Sequence, residues 1–214
     1  MQYKQTKKLF YGTYQYKIVL VCAGAGWFRN KDWDYAASML SKVDLVKNSA
    51  QNPSYTRYTG TSIKTKEDLD YALDLLKVLR KLEDMDLRVE SPWISLYTNT
   101  EKNISKITKL DEARIKYVSV PAKDTTLEAG TVILPKVNFD YRITMGRTMQ
   151  NYTTFVEWAD TSTKLKLTKT CRKQLSNNGS WGGSYFYVTG DKNLMLTKMH
   201  LGGTIAKIER VTKN

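Results

Sequence analysis

The chain has 214 residues, and its 34 Lys and Arg against 21 Asp and Glu give a formal net charge of +13. Its hydrophobic content of 41% and aromatic content of 11% exclude low-complexity disorder, because such chains lack the apolar side chains that build a core. Two cysteines and a single histidine exclude a disulfide framework and any metal site made of several histidines.

The first half of the chain contains both predicted strands and predicted helices. The clearest helix begins at the N-cap Thr65, and five leucines recur along it at helical spacing up to Leu82. Pro92 interrupts a run of strand-forming residues, which predicts an edge strand or a bulge there. In chain order, the patterns predict a strand over 12–22, a helix over 32–46, a polar loop over 47–61, the helix after Thr65, and the interrupted strand over 87–98.

The second half predicts more short elements of both kinds. A loop over 121–130 separates it from the first half, and residues 176–183 are rich in Gly, Ser and Asn. The pattern over 191–200 fits a helix and a strand equally well. The other predicted elements are helices over 101–110, 151–160 and 168–175 and strands over 116–120, 132–137, 141–145, 184–188 and 204–211.

This order of elements predicts the fold class. Strands and helices are mixed without a regular β-α alternation, which is typical of an α+β protein with a mixed, mainly antiparallel sheet and several flanking helices. We expect one α+β domain over 1–214, or two lobes with a break near 121–130.

The positive charge lies mainly at the two ends of the chain. Residues 1–30 hold five Lys or Arg and no acid, and residues 151–214 hold ten against four. Residues 61–100, in contrast, hold six Lys or Arg against eight acids. An uneven basic charge in an aromatic-rich chain predicts a polyanionic partner, most often nucleic acid.

The strongest candidate binding site lies within residues 164–187. Cations there could neutralise phosphates, while aromatic rings stack on unpaired bases and glycines let the backbone approach the ligand. The alternative is a solvated basic helix with Trp181 folded back on the core. The predicted nucleic-acid-binding residues of this segment are Lys164, Lys166, Lys169, Arg172, Lys173, Trp181, Tyr185 and Tyr187.

The N-terminal segment is a second candidate. Lys4, Lys7 and Lys8 lie close in sequence to four aromatic residues, and basic arms often follow a phosphate backbone. The alternative is a tail whose charge serves solubility.

Other motifs are weaker candidates for a binding or catalytic site. Gly24 and Gly26 follow a predicted strand, but the full phosphate-binding spacing of glycines is absent. Cations beside Cys171 in the sequence would lower the pKa of its thiol, so a reactive thiol at Cys171 remains an alternative. His200 has no nucleophile motif nearby. We therefore expect no cofactor and no metal site.

The composition favours a location inside a cell. Few cysteines are typical of a reducing compartment, and the aromatic alternation of residues 10–17 fits a strand better than a signal peptide. The apolar runs are well short of the ~18–20 residues of a membrane span, so no membrane partner is expected. Abundant Lys and Tyr favour an AT-rich viral or phage genome, with the protein in the host cytoplasm or the virion.

The preferred hypothesis is a non-enzymatic protein that binds single-stranded DNA or RNA through its basic ends and exposed aromatic residues. One alternative is a structural or assembly component of a viral or other complex, including a homo-oligomer, because tyrosine-rich surfaces suit interfaces. Another is a metal-dependent nuclease that uses Asp140, Glu157 or Asp160, since carboxylates hold Mg²⁺ in such enzymes. The spacing of these three carboxylates matches no nuclease motif.

Overall fold

The computed structural model describes residues 2–44, 63–123, 125–177 and 181–213. The predicted loop over 47–61 and the end of the predicted helix over 32–46 lie outside the described residues. The chain divides into two compact units, Met1–Thr126 and Leu127–Asn214. The prediction of one domain, or of two lobes with a break near 121–130, stays a prediction.

The first unit is a five-stranded sheet with helices on one face. Its strand order is β1-β5-β2-β4-β3, in which β1 and β5 are parallel and the other neighbours are antiparallel. Its elements are β1 (Tyr3–Thr6), β2 (Tyr16–Val21), α1 (Trp33–Ser41), α2 (Lys66–Leu79), β3 (Met85–Glu90), β4 (Trp93–Thr98), α3 (Glu101–Thr108) and β5 (Ile115–Pro121).

Helix α2 shows how the sequence builds this unit. The Thr65 hydroxyl accepts the N–H of Asp68 at 3.1 Å, as an N-cap does, and Glu67 and Asp68 complement the dipole of the first turn. Its apolar stripe, with Leu75 and Leu79 fully buried, packs in one core with the sheet residues Ile18, Leu20, Ile94 and Leu96. Helices α1 and α3 add Leu40 and Ile107 to the same core.

Two predictions in this unit differ in detail from the structure. The run over 87–98 is interrupted at Pro92 as predicted, but by the two-residue turn of Ser91 and Pro92 and not by a bulge. The strand before this turn, β3, is the edge strand of the sheet, whereas β4 after it pairs with both β3 and β2. The predicted strand over 12–22 begins only at Tyr16. Before it, a turn is closed by the N–H of Phe10, which donates to the Tyr14 carbonyl at 2.8 Å.

The second unit has the same strand order and strand directions as the first, counted from its own first strand, but a helix joins its third and fourth strands where the first unit has a turn. Its strand order is β6-β10-β7-β9-β8, in which β6 and β10 are parallel and the other neighbours are antiparallel. Its elements are β6 (Thr131–Ile133), β7 (Tyr141–Met145), α4 (Thr153–Thr161), β8 (Leu165–Leu167), α5 (Lys169–Ser176), β9 (Tyr185–Val188), α6 (Asp191–Leu201) and β10 (Ile205–Thr212). The ambiguous segment over 191–200 is therefore a helix.

The core of the second unit lies between one face of its sheet and its helices. Phe186 and Val188 of β9 are fully buried there, beside Ile143 of β7. Phe155 of α4 contacts Phe186 edge to face, with 5.6 Å between ring centroids, and α5 and α6 add Leu175 and Leu201. Together the two units confirm the predicted α+β class with mixed, mainly antiparallel sheets.

The two cysteines belong to these two cores. Cys22 and Cys171 are both fully buried, and loss of hydration raises the pKa of the Cys22 thiol to about 12 and that of the Cys171 thiol to about 11. Thiols in this state react slowly, because the thiolate is the nucleophile. Cys171 is thus a packing residue despite the cations beside it in sequence.

We expect Phe186→Ala to lower the free energy of unfolding by about 3–5 kcal/mol, because it leaves a cavity in the core of the second unit. Chemical denaturation followed by circular dichroism measures this loss. The matched control is Lys166→Ala on the neighbouring strand β8, where the exposed side chain points away from the core. That change should stay within about 0.5 kcal/mol. Equal losses in the two variants would contradict this description of the core.

Candidate nucleic-acid interface

The face of the second sheet that is turned away from its helices carries a row of aromatic and basic residues. Side chains alternate along a strand, so the burial of Phe186 and Val188 directs Tyr185 and Tyr187 to this opposite face. Lys166 of β8 is the register partner of Tyr187, and Tyr187 is the register partner of Arg142 on β7. We call the surface formed by Arg142, Lys166, Tyr185 and Tyr187 the Tyr187 face.

The rings on the Tyr187 face are held by contacts with one another and with Arg142. The Arg142 guanidinium lies 4.0 Å from the centroid of the Tyr185 ring. Tyr185 and Tyr187 meet edge to face with 5.7 Å between centroids. Phe139, just before β7, stacks on Tyr187 at 5.7 Å with an interplanar angle of 28°. Such contacts fix aromatic side chains in a defined orientation.

A cleft of about 210 Å³ opens at one end of the row. Its walls combine the rings of Phe139 and Tyr187 with the side chains of Lys136 and Lys166. Asn138 also lines it and accepts a hydrogen bond from the Lys213 ammonium at 3.0 Å. The cleft therefore offers aromatic surface and positive charge side by side.

One carboxylate, that of Glu209, continues the row of Lys166, Tyr187 and Arg142 onto the next strand. Glu209 of β10 is the partner of Arg142, and it is fully buried. The Lys207 ammonium lies 2.9 Å from its carboxylate. Its charge is thus matched locally, and the exposed charge of Lys166 remains available to a ligand.

Trp181 stands next to this sheet and is 85% exposed. The Arg147 guanidinium lies 4.9 Å from its ring centroid, which combines a cation with a large exposed ring. The alternative that Trp181 folds back on the core is excluded by this exposure. Tyr185 and Tyr187 are half-buried.

The backbone that presents Trp181 is fixed from the interior. The Gln174 amide donates to the Gly146 carbonyl at 2.8 Å, and its oxygen accepts the Ser184 hydroxyl at 2.5 Å. The N–H of Gly183 donates to the Met145 carbonyl at 2.8 Å. The chain beside Trp181 is therefore bound to the end of β7, so the exposed ring has a rigid base.

Gly182 and Gly183 allow a prediction about this base. Both have positive φ, +94° and +87°, so a side chain strains either position. Only at Gly182 would a Cβ also lie 2.5 Å from the Gly146 carbonyl group, whereas nothing lies within 4 Å of one at Gly183. We expect Gly183→Ala to cost about 1–2 kcal/mol and Gly182→Ala clearly more, measured by chemical denaturation. Equal costs would contradict the close approach of the two backbones.

The predicted cations of helix α5 lie on the other side of the sheet. Cys171 and Leu175 of this helix pack in the core, which places Lys169, Arg172 and Lys173 on the helical side. Arg172 forms a two-pronged ion pair with Asp160 and holds the pKa of that carboxyl below its usual range. The structure thus brings Lys166, Tyr185 and Tyr187 together and separates Lys169, Arg172 and Lys173 from them.

The remaining predicted cations lie outside the Tyr187 face. Lys164 is exposed in the turn between α4 and β8. The N-terminal lysines belong to the first unit: Lys4 is on strand β1, which the sequence did not predict, and Lys7 and Lys8 form the bend after it. The Lys4 ammonium lies 4.0 Å from the centroid of the Tyr117 ring.

Two of the three carboxylates considered for a nuclease have other partners. Asp160 pairs with Arg172, and Asp140 accepts the N–H of Gly190 at 2.8 Å. Within the described ranges, the structure shows no group of three or more His, Cys, Asp or Glu placed to hold a metal ion. His200 stacks on Trp158 with 5.2 Å between centroids.

Three residues of this surface were missed at the sequence level: Lys136, Phe139 and Arg142. Arg142 could have been predicted from the sequence, because it lies between Tyr141 and Ile143 in a predicted strand and so faces away from the core. Lys136 and Phe139 could not have been predicted from the sequence, since their approach to Tyr187 depends on the path of the chain between β6 and β7.

No protein-family model, curated protein or solved structure matches this chain. Among the helices that the structure describes, none has the length and apolar character needed to cross a bilayer.

Proposed function

We propose that this protein binds single-stranded nucleic acid on the Tyr187 face. The observation that supports the proposal most is the register of Lys166, Tyr187 and Arg142 across three adjacent strands. This register places the Tyr187 ring between Lys166 and Arg142, on the face of the sheet opposite to the core. Aromatic rings and cations on a sheet are the two components that sequence-tolerant single-strand binding requires.

Each component meets a different part of the ligand. Rings stack on bases and contribute ~1–3 kcal/mol per base. Lys136 and Lys166 line the cleft beside the rings, where they can neutralise phosphates and release counterions. A duplex keeps its bases stacked on one another, so rings fixed on a sheet favour unpaired strands.

Trp181 extends the proposed surface. Its ring is exposed and lies against Arg147, so one base can stack on it while the guanidinium meets a phosphate. The backbone beside it is anchored through Gln174, so little order has to be gained on binding.

The test is fluorescence anisotropy with labelled single-stranded DNA, single-stranded RNA and duplex DNA over ~50–300 mM salt. Affinity for single strands should fall log-linearly with salt, by about 0.7 in slope for each phosphate contact. Lys136→Gln/Lys166→Gln removes the two cations that line the cleft at the Tyr187 face and should reduce the slope by about 1.4. Tyr187→Ala should weaken binding by ~1–3 kcal/mol.

The matched control is Lys169→Gln/Lys173→Gln, which removes the same charge from the helical side of the same sheet. It should leave the salt slope nearly unchanged. If this control loses affinity while Lys136→Gln/Lys166→Gln keeps it, the helix and not the Tyr187 face is the interface. If the unaltered protein binds no single strand at low salt, the proposed function is wrong.

A second candidate function, an assembly component, is favoured by one observation. Met195 and Met199 are 59% and 72% exposed and lie four residues apart on α6, so they share one face of that helix. Exposed methionines are enriched at protein interfaces. Sedimentation at rising protein concentration distinguishes the two: self-association that Met195→Lys/Met199→Lys abolishes would favour assembly, and a monomer throughout would remove it.

A further inference from the structure

The first sheet also has a face that the helices of its described residues do not cover. Along β2, Ile18 and Leu20 enter the core, so Lys17 and Val19 lie on the opposite side. Lys17 is the register partner of Tyr97 on β4, and Val19 is the partner of Tyr117 on β5. Together with Lys4, Trp93 and Lys116, these residues form a surface that we call the Lys17 face.

Each lysine of the Lys17 face contacts an aromatic ring. The Lys4 ammonium lies 4.0 Å from the Tyr117 centroid, and that of Lys116 lies 4.1 Å from the Trp93 centroid. Lys17 stands between two rings, at 5.4 Å from Tyr97 and 5.6 Å from Tyr117. Three cations thus lie among three rings over the strands β1, β5, β2 and β4. Tyr97 is buried, and the partly exposed rings are Tyr117 and Trp93.

The Lys116 contact depends on an irregularity of the sheet. The register of β2 against β5 shifts between Val19 and Leu20, where Val19 pairs with Tyr117 and Leu20 with Ile115. Lys116 is thus the extra residue of β5 at this point, and its ammonium reaches the ring of Trp93 on β4. A bulge commonly redirects a side chain in this way.

The carboxylates near this face are already paired. Asp86 lies 3.0 Å from the Lys31 ammonium, and Glu90 pairs with Arg88. In the described part of the chain, none of Lys4, Lys17 and Lys116 forms a salt bridge to a carboxylate. The Lys17 face therefore carries three positive charges that no neighbouring acid neutralises.

Aromatic residues before β2 extend the surface. Phe10 and Tyr11 contact Tyr97, with 5.7 Å and 4.9 Å between ring centroids. Tyr11 is nevertheless 62% exposed. Its own backbone lies in the left-handed region, with φ +54°, and its ring projects outwards from the turn. The Lys17 ammonium lies 6.0 Å from the centroid of the half-buried Phe10 ring, so this segment also places aromatic surface beside the charge.

We infer that the Lys17 face is a second binding site for single-stranded nucleic acid, so that each chain holds two segments of strand. The inference rests on the proposed function of the second unit and extends it to the first. Its basis is charge complementarity, three unpaired cations against a polyanion, together with rings at stacking distance from those cations. An acidic protein surface would match the charge but would not use the rings for stacking.

The experiment counts short oligonucleotides bound per chain. The full chain is titrated at low salt with a labelled strand of ~8 nucleotides, well above its dissociation constant, so that the end point gives the stoichiometry. We expect two strands per chain for the unaltered protein. We expect one for Lys17→Gln/Lys116→Gln, one for Lys136→Gln/Lys166→Gln, and none when all four lysines are replaced.

Two further variants keep the result interpretable. Lys66→Gln/Lys106→Gln removes two exposed charges from helices α2 and α3, on the core side of the same sheet, and should still bind two strands. Lys4→Gln/Lys116→Gln replaces only exposed lysines, so it serves if loss of the half-buried Lys17 unfolds the unit. Quenching of Trp93 fluorescence, identified by its loss in Trp93→Phe, reports stacking on this face directly.

The outcomes separate the two proposals. One strand per chain, retained in Lys17→Gln/Lys116→Gln and lost in Lys136→Gln/Lys166→Gln, overturns the inference and leaves the Tyr187 face as the binding site. One strand with the reverse pattern supports the Lys17 face and overturns the proposed function of the second unit. No strand bound at any salt overturns both. Binding of two strands without quenching of Trp93 shows charge neutralisation alone and overturns the stacking role of this face.

Discussion

The two-residue period of the β-strand is the constraint on which both units depend. Each strand sends alternate side chains to opposite faces, so a face that packs against helices leaves the other face to different residues. In β9, Phe186 and Val188 enter the core while Tyr185 and Tyr187 do not. In β2, Ile18 and Leu20 enter the core while Lys17 does not. The choice of which strand face packs against the helices therefore determines both the stability of each sheet and the residues on its other face.

The two sheet faces that the described helices leave uncovered have the same chemistry, because cations there lie against aromatic rings. Arg142 covers Tyr185 on the second sheet, and Lys116 covers Trp93 on the first. A cation over a ring is attracted to it without being neutralised, whereas a salt bridge such as Arg172–Asp160 cancels the charge. The faces thus keep their positive charge while the contacts hold their rings in a defined orientation.

The charge alone was a weak guide to these surfaces. The excess of cations over residues 151–214 is real, but the sheet distributes it over two sides. Lys169 and Lys173 lie with the helices, and Lys166 lies with the tyrosines, although Lys169 follows Lys166 by only three positions. A change from strand to helix between them turns the side chains to opposite sides of the sheet, which a count of charges does not register.

The sequence by itself determined what depends on neighbours in the chain: the α+β class, the capped helix α2, the alternation that turns Tyr185 and Tyr187 away from the core, and the basic ends. It left the type of α6 open, because its apolar residues follow neither period clearly. Only the tertiary structure decided which strands are neighbours, and hence that Lys166, Tyr187 and Arg142 form a row. It also placed Pro92 in a turn and β1 beside β5. Strand pairing joins residues that are distant in the chain, and local periodicity carries no information about such partners.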